Sequence, residues 1–173
     1  MAELEYNIPY TWGGKYTKKG LDPNWGSIVE VVKETCSVKE GSMRCRAGLD
    51  CTGYTSWAYA QAGFPASILK TSYQTEGKWG NFEVGKNYYS FKKDQNMVSL
   101  IKPGDIVHTK DQDGGHHVGI VLGTSDSMLK VANMRHGIRI SYIRTIDGKS
   151  TNGDKDFYNF ALFDGFFEMY GNK

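Results

Sequence analysis

The chain has 173 residues, which fits one domain, and its 39% hydrophobic and 13% aromatic residues are enough to bury a core. The 21 Lys plus Arg against 19 Asp plus Glu give a net charge of +2, without any basic run. Charge therefore indicates neither a nucleic-acid partner nor a membrane surface, and no apolar run reaches the roughly 18 residues of a membrane span.

The N-terminal part predicts loops around one short helix. Residues 6–14 favour an extended segment that ends in a Gly-Gly turn, and residues 15–25 favour a polar surface loop. Ser27 and Glu30 have the spacing of a capping box, which predicts a helix over residues 28–35.

A second, more apolar helix is predicted to begin at Cys51. Asp50 or Thr52 supplies its N-cap, apolar residues recur every three or four positions, and Gly63 stands where a C-terminal cap belongs. A further short helix is predicted near Ser67–Gln74.

From residue 106 onward the pattern alternates with period two, which predicts strands. They cover residues 106–108, 117–122, 128–133 and 138–143, with one or two aromatic-rich strands within 158–170. Because helices come first and strands follow, the sequence predicts an α+β fold with a C-terminal antiparallel sheet of about five to six strands.

The sequence has three cysteines, Cys36, Cys45 and Cys51. They are too few for a disulfide scaffold and lack zinc spacing, so no metal or other cofactor is predicted. Cys36 and Cys45 flank a short polar loop, where a local disulfide and two separate thiols are the alternatives. Cys51 is the odd thiol and the candidate for reactivity.

A cysteine at a helix start and a histidine on a strand are the minimum for a thiolate nucleophile, and Cys51 and His117 have these positions. A thiol ordinarily has a pKa of about 8.5, which a helix N-terminus and a nearby imidazolium lower. The alternative is structural, because cysteines in apolar helices are mostly core residues. The polar residues of Asp50–Gly53 favour a position of Cys51 at the helix start over one in the apolar core.

Five motifs follow one another along the chain. They are Tyr10-Thr-Trp-Gly-Gly14, Asp50-Cys-Thr-Gly53, Pro65 with Thr71–Gly77, Lys102-Pro-Gly-Asp-Ile-Val107 and His117-Val-Gly-Ile-Val-Leu-Gly123. In order and wording, from about residue 7 to about residue 143, they resemble the NlpC family of papain-like cell-wall cysteine peptidases. The resemblance implies a papain-like fold, with N-terminal helices packed on the sheet and the nucleophile at the start of the central helix.

The resemblance also implies roles for individual residues. Cys51 is the nucleophile, and His117 is the general base that later protonates the leaving amine. Tyr10 matches an active-site tyrosine whose hydroxyl helps to bind the reacting carbonyl. Asp50 and Thr52 match the positions that shape the helix start.

The choice between two adjacent histidines depends on strand register, because neighbouring residues point to opposite faces. His117 fits the family motif, so it is preferred as the base. His116 is expected at the rim of the site or in solvent.

The third catalytic position departs from the family pattern. Family members usually place a histidine there, in a His-Ala pair, whereas this chain has Val131-Ala132. Valine cannot accept a hydrogen bond from the imidazole. Asn133, two residues on and on the same strand face, is the preferred replacement, with His136 and a backbone carbonyl as alternatives.

We predict a single catalytic domain over residues 1–173, with an insertion at about residues 15–49 that the family usually lacks. The insertion is either a surface feature or one wall of the substrate cleft, since long loops inside compact domains are often functional.

The predicted function is a cysteine endopeptidase that cleaves peptidoglycan stem peptides, of the D-glutamyl–diamino acid type, through an acyl-enzyme. An N-acetylmuramoyl-alanine amidase or a transpeptidase would use the same chemistry and is an alternative. Because Val131 occupies the third catalytic position, an inactive cell-wall-binding module is a further alternative. We expect a monomer that acts outside the cell, on the wall. The start Met1–Tyr6 lacks a secretory leader, which favours a phage lysin, a delivered effector or a domain excised from a larger secreted protein.

Overall fold

A computed structural model describes residues 7–33, 35–64, 73–74, 78–79, 82–83, 85–110 and 116–163. Within these ranges the elements, in chain order, are β1 (Ile28–Glu30), β2 (Lys39–Gly41), β3 (Arg44–Arg46), α1 (Cys51–Gln61), β4 (Tyr73–Gln74), β5 (Lys78–Trp79), β6 (Phe82–Glu83), β7 (Tyr88–Ser90), α2 (Gln95–Val98), β8 (Ile106–Lys110), β9 (His116–Thr124), β10 (Met128–Met134), β11 (Ile138–Arg144) and β12 (Asn159–Ala161). The chain divides into two compact units, Met1–Thr71 with Asn133–Arg139, and Ser72–Ala132 with Ile140–Lys173.

Helix α1 is the centre of the first unit and is buried on almost every side. Eight of its residues are buried: Cys51, Gly53, Tyr54, Thr55, Ser56, Trp57, Tyr59 and Ala60. Trp57 donates from its indole nitrogen to the carbonyl of Gly20 at 2.8 Å, and the Trp25 ring packs edge-on against Trp57 at 5.6 Å. Gly63 follows the helix with a φ of 91°, a conformation that favours glycine at a helix end. The helix predicted at Cys51 is thus confirmed.

The helix predicted over residues 28–35 is wrong. Residues Ile28–Glu30 form β1, which pairs antiparallel with β3 in a small sheet of order β1-β3-β2. The capping-box spacing is outweighed here by β-branched side chains, which favour an extended backbone once a partner strand is available. Glu30 also forms an ion pair with Arg44 on the facing strand at 3.1 Å.

The second unit contains most of a six-stranded antiparallel sheet of order β11-β10-β9-β8-β12-β7. Strands β8 and β9 pair with Ile106 opposite Ile120 and Thr109 opposite His117. The apolar side chains of the unit form one buried cluster: Tyr89, Phe91, Ile101, Val107, Val121, Leu129, Val131, Ile143, Phe157, Phe160 and Leu162. Strands β4, β5 and β6 form a separate three-stranded sheet.

The α+β class and the large antiparallel sheet agree with the sequence prediction and with a papain-like fold. The helix predicted near Ser67–Gln74 lies outside the described residues except at its end, where Tyr73–Gln74 form β4. Within 158–170, β12 is confirmed and residues 164–170 lie outside the described part. No helix among the described residues is long and apolar enough to cross a membrane.

Candidate active site

The entry segment of the chain is held against the residues that lead into α1. Thr11 donates its backbone N–H to the carbonyl of Leu49 at 3.1 Å, and Leu49 donates to the carbonyl of Pro9 at 3.0 Å. Asp50 donates to the carbonyl of Gly14 at 3.2 Å. Tyr10 is therefore fixed in the same unit as the start of α1, in a parallel bridge with Leu49.

Glycines make this close backbone approach possible. A Cβ atom on Gly48 would lie 1.8 Å from the carbonyl oxygen of Pro9, and one on Gly53 would lie 2.0 Å from that of Gly14. Both distances are far below any real Cβ contact, and the neighbouring atoms belong to the backbone. The Trp-Gly-Gly and Cys-Thr-Gly motifs therefore pack against each other, backbone to backbone, at Gly14 and Gly53.

Asp50 is the residue through which these segments meet. Its Oδ1 accepts from the backbone N–H of Gly53 at 2.6 Å and from the hydroxyl of Thr52 at 2.9 Å, and its Oδ2 accepts from the N–H of Gly13 at 3.0 Å. The ammonium of Lys15 lies 2.5 Å from Oδ1. Of the two N-caps predicted for α1, Asp50 is the observed one.

Cys51 is the first residue of α1 and is 8% exposed. Its thiol takes no part in the disulfide, which joins Cys36 and Cys45. Of the two alternatives for those cysteines, the local disulfide is the correct one. At its position Cys51 lies at the positive end of the helix dipole, which stabilises a thiolate.

The phenol of Tyr10 is held neutral in this environment. Burial raises the pKa of Tyr10 well above its usual value, and the nearby negative charges of Cys51 and Asp50 raise it further. A neutral hydroxyl remains a hydrogen-bond donor throughout the physiological pH range. The first unit therefore brings together Tyr10, Asp50, Cys51 and Thr52, four of the predicted site residues.

His117 and His116 lie next to each other on β9 in the second unit, and their side chains project to opposite faces. His117 is 6% exposed, and its ring stacks on Phe157 with 5.6 Å between the ring centroids. Thr109 on β8 is its cross-strand neighbour. His117 is therefore a firmly held imidazole.

His116 belongs to a chain of polar side chains that the sequence did not reveal. Its Nδ1 lies 3.3 Å from Nε2 of His108, and Nδ1 of His108 lies 2.6 Å from the hydroxyl of Tyr88. Burial, followed by the charges of His116 and then His117, lowers the pKa of His108 to about 3. His108 is thus neutral at physiological pH.

Val131, which occupies the family's third catalytic position, and its two candidate side-chain replacements, Asn133 and His136, differ in burial. Val131 is fully buried in the apolar cluster of the second unit. Asn133, also on β10, is fully buried and groups with the first unit, to which Tyr10 and Cys51 belong. His136 is exposed in the connection after β10.

Two further features bear on the chemistry of the described residues. Lys15, within the segment predicted to be a polar surface loop, contacts both Asp50 and Thr52, the neighbours of Cys51. Among the described residues, no three His, Cys, Asp or Glu side chains are grouped as metal ligands would be.

Comparison with protein families gives a match over most of the chain. The model of the NlpC/P60 family matches residues 7–151, which include all of the motifs described above. No curated protein and no solved structure gives a significant match.

Proposed function

The chain belongs to the NlpC/P60 family of cell-wall peptidases, and from this we propose that it is a peptidoglycan hydrolase with Cys51 as its nucleophile. The bond that we assign is the amide between D-glutamate and the diamino acid of the stem peptide. The observation that carries the proposal is the position of Cys51 as the first residue of a buried helix, with a neutral tyrosine hydroxyl nearby.

The first step is attack on the amide carbonyl. The Cys51 thiolate forms a bond to the carbonyl carbon, and the electron pair of the C=O bond moves to oxygen. The helix N-terminus stabilises the developing oxyanion, and the Tyr10 hydroxyl is a second donor for it. The helix N-terminus stabilises the negative charge of both the thiolate and the oxyanion. This explains why a nucleophilic cysteine is well placed as the first residue of a helix.

The tetrahedral intermediate then collapses. In our proposal His117 has already taken the thiol proton of Cys51, and the imidazolium now gives this proton to the amine nitrogen, the C–N bond breaks, and a thioester remains on Cys51. His117 next takes a proton from water, the hydroxide attacks the thioester carbon, and the C–S bond breaks. The D-glutamyl carboxylic acid loses its proton to solvent, and the Cys51 thiolate and His117 imidazolium are restored. Asn133 is assigned as the positioning residue that orients His117.

The proposal is tested on purified peptidoglycan sacculi. Wild type, Cys51→Ala and the control Ser99→Ala, whose exposed side chain lies in a turn after α2, are incubated with sacculi, and the soluble fragments are identified by mass spectrometry. We expect soluble peptides that begin with the diamino acid from the wild type and the control, with L-Ala–D-Glu left on the glycan strands, and no such peptides from Cys51→Ala.

The fragment masses separate the alternatives within the same mechanism. Release of whole stem peptides with a new L-alanine N-terminus would show an amidase, and new cross-links would show a transpeptidase. Equal release by wild type and Cys51→Ala would overturn Cys51 as the nucleophile. No release by the wild type, with retained binding to sacculi, would show an inactive wall-binding module.

A site of action outside the cell is part of this proposal. The substrate lies there, and the disulfide between Cys36 and Cys45 belongs to an oxidising compartment. We infer action at the cell wall, as a lysin, a delivered effector or part of a secreted protein.

A further inference from the structure

The ammonium of Lys15 contacts the residues on both sides of the proposed nucleophile in the chain. Its Nζ is 2.5 Å from Oδ1 of Asp50 and also contacts the hydroxyl of Thr52. These two residues precede and follow Cys51, and consecutive Cα atoms are only about 3.8 Å apart. The Lys15 side chain is 45% exposed, so its charged end reaches the surface at the start of α1.

Lys15 is not needed to satisfy Asp50. The Asp50 carboxylate already accepts from two backbone N–H groups and from the Thr52 hydroxyl, so the helix cap is complete without the lysine. A lysine ammonium has three N–H donors, and in the described residues Asp50 and Thr52 take two of them. These two contacts fix the orientation of the third N–H, which can donate to an acceptor on a bound molecule.

We propose that Lys15 binds a carboxylate of the substrate, next to the carbonyl that Cys51 attacks. This inference rests on the proposed function. Because the proposed substrate is a peptidoglycan stem peptide, the carboxylate is the α-carboxylate of its D-glutamyl residue. In a γ-linked D-glutamyl residue the attacked carbonyl is the side-chain carbon, and the α-carboxylate carbon is four bonds away. Bond lengths near 1.5 Å place the two carbons within about 5 Å of each other. The Lys15 ammonium, which contacts both chain neighbours of Cys51, is the cation that receives this carboxylate.

A different role for Lys15 would be to offset the charge of Asp50 near the thiolate. That role would help every substrate equally, because it acts on the nucleophile. A carboxylate-binding role helps only substrates that carry the carboxylate. The two roles therefore differ in substrate selectivity and can be separated by measurement.

The experiment uses two synthetic stem peptides of the form L-Ala-γ-D-Glu-diamino acid, one with the α-carboxylate and one with the α-carboxamide. Both are given to wild type, Lys15→Met, Lys15→Arg and the control Lys19→Met, an exposed lysine in the same segment. Thermal melting shows whether each variant is folded, and kcat/KM is measured for each pair.

We expect the wild type to prefer the carboxylate peptide by about 10- to 100-fold, as for a hydrogen bond between charged groups. Lys15→Met loses this preference by slowing on the carboxylate peptide alone, Lys15→Arg retains part of it, and Lys19→Met retains all of it. Equal cleavage of both peptides by the wild type, or an equal loss of kcat/KM on both peptides in Lys15→Met, would overturn the role of Lys15 and leave the proposed function standing. Cleavage of neither peptide by the wild type would overturn the proposed function, and this carboxylate assignment with it.

Discussion

Asp50 accepts a hydrogen bond of 2.6 Å from the backbone N–H of Gly53, and this bond fixes the first turn of the helix that begins with Cys51. The same carboxylate holds the N–H of Gly13 in the entry segment. One side chain therefore links the helix start to the entry segment that carries Tyr10.

Replacing Asp50 by alanine should destabilise the protein by about 2 kcal/mol, at the upper end of what loss of an N-cap costs, because several donors lose their acceptor at once. Urea unfolding followed by circular dichroism measures the change. Asp126→Ala is the control, since Asp126 is an exposed aspartate in the β9–β10 turn. If both variants unfold at the wild-type midpoint, Asp50 does not hold the helix start.

Gly53→Ala tests the close approach of the backbones. Alanine is favoured over glycine inside a helix by about 1 kcal/mol, so helix propensity alone predicts a more stable protein. The new Cβ would lie 2.0 Å from the carbonyl oxygen of Gly14, however, and one of the two backbone segments must move. We therefore expect a lower melting temperature and slower alkylation of Cys51. Gly123→Ala, where a Cβ meets open space, is the control; a stabilised Gly53→Ala protein would contradict the packing.

Local signals in the sequence were sufficient for α1 and for β8 to β12 of the large sheet, whereas β7 was not predicted. The Asp50 cap, the apolar spacing and Gly63 all lie within one stretch of chain, and each strand alternates on its own. The capping box at Ser27 failed because the conformation of β1 depends on pairing with Arg44–Arg46, which a local pattern does not contain.

The site was predictable only where it follows a motif. Cys51 and His117 were proposed from a helix start and a strand, and Tyr10 from the family resemblance, whereas Lys15 meets Asp50 across 35 residues of sequence. The contact between Tyr88 and His108 depends on β12, which pairs with both β7 and β8 and is distant in sequence from them. Such contacts follow from strand order, which periodicity does not determine.

The disulfide between Cys36 and Cys45 should stabilise the first unit without being needed for chemistry. The cysteines are nine residues apart, and closing a loop of this size in the unfolded chain contributes roughly 2–3 kcal/mol. We expect the Cys36→Ser/Cys45→Ser double variant to melt at a lower temperature and to cleave sacculi at the wild-type rate while it is folded. A double variant that melts at the wild-type temperature under both oxidising and reducing conditions would contradict the stabilising role.

Acid should destabilise the protein through His108. Its pKa is about 3 in the folded protein against about 6.5 in the unfolded chain, so between these values only the unfolded state binds the proton. Stability therefore falls as the pH drops through about 6.5, by about 2 kcal/mol at pH 5, and the effect of His108 fades as the pH rises above 6.5. We expect a smaller loss of melting temperature between about pH 7 and pH 5 in His108→Asn. His136→Asn, at an exposed histidine, should follow the wild type; parallel curves for all three proteins would exclude His108 as the cause.

Asn133 and His136 are the two side chains proposed to orient His117, and burial separates them. A positioning residue must itself be held in place, and Asn133 is fully buried whereas His136 is exposed. We expect Asn133→Ala to lower kcat roughly 10- to 100-fold, within the contribution of general acid–base catalysis. His136→Ala should keep the wild-type kcat.

The pH profile separates orientation from a loss of structure. An amide oxygen that accepts from the imidazole fixes one tautomer, and its removal should shift the acidic limb of kcat/KM in Asn133→Ala as well as lower the rate. Asn133→Asp retains an acceptor oxygen and should recover part of kcat, although it places a charge in a buried position. If Asn133→Ala keeps the wild-type rate and profile while His136→Ala loses activity, the exposed histidine orients the base and the assignment of Asn133 is wrong.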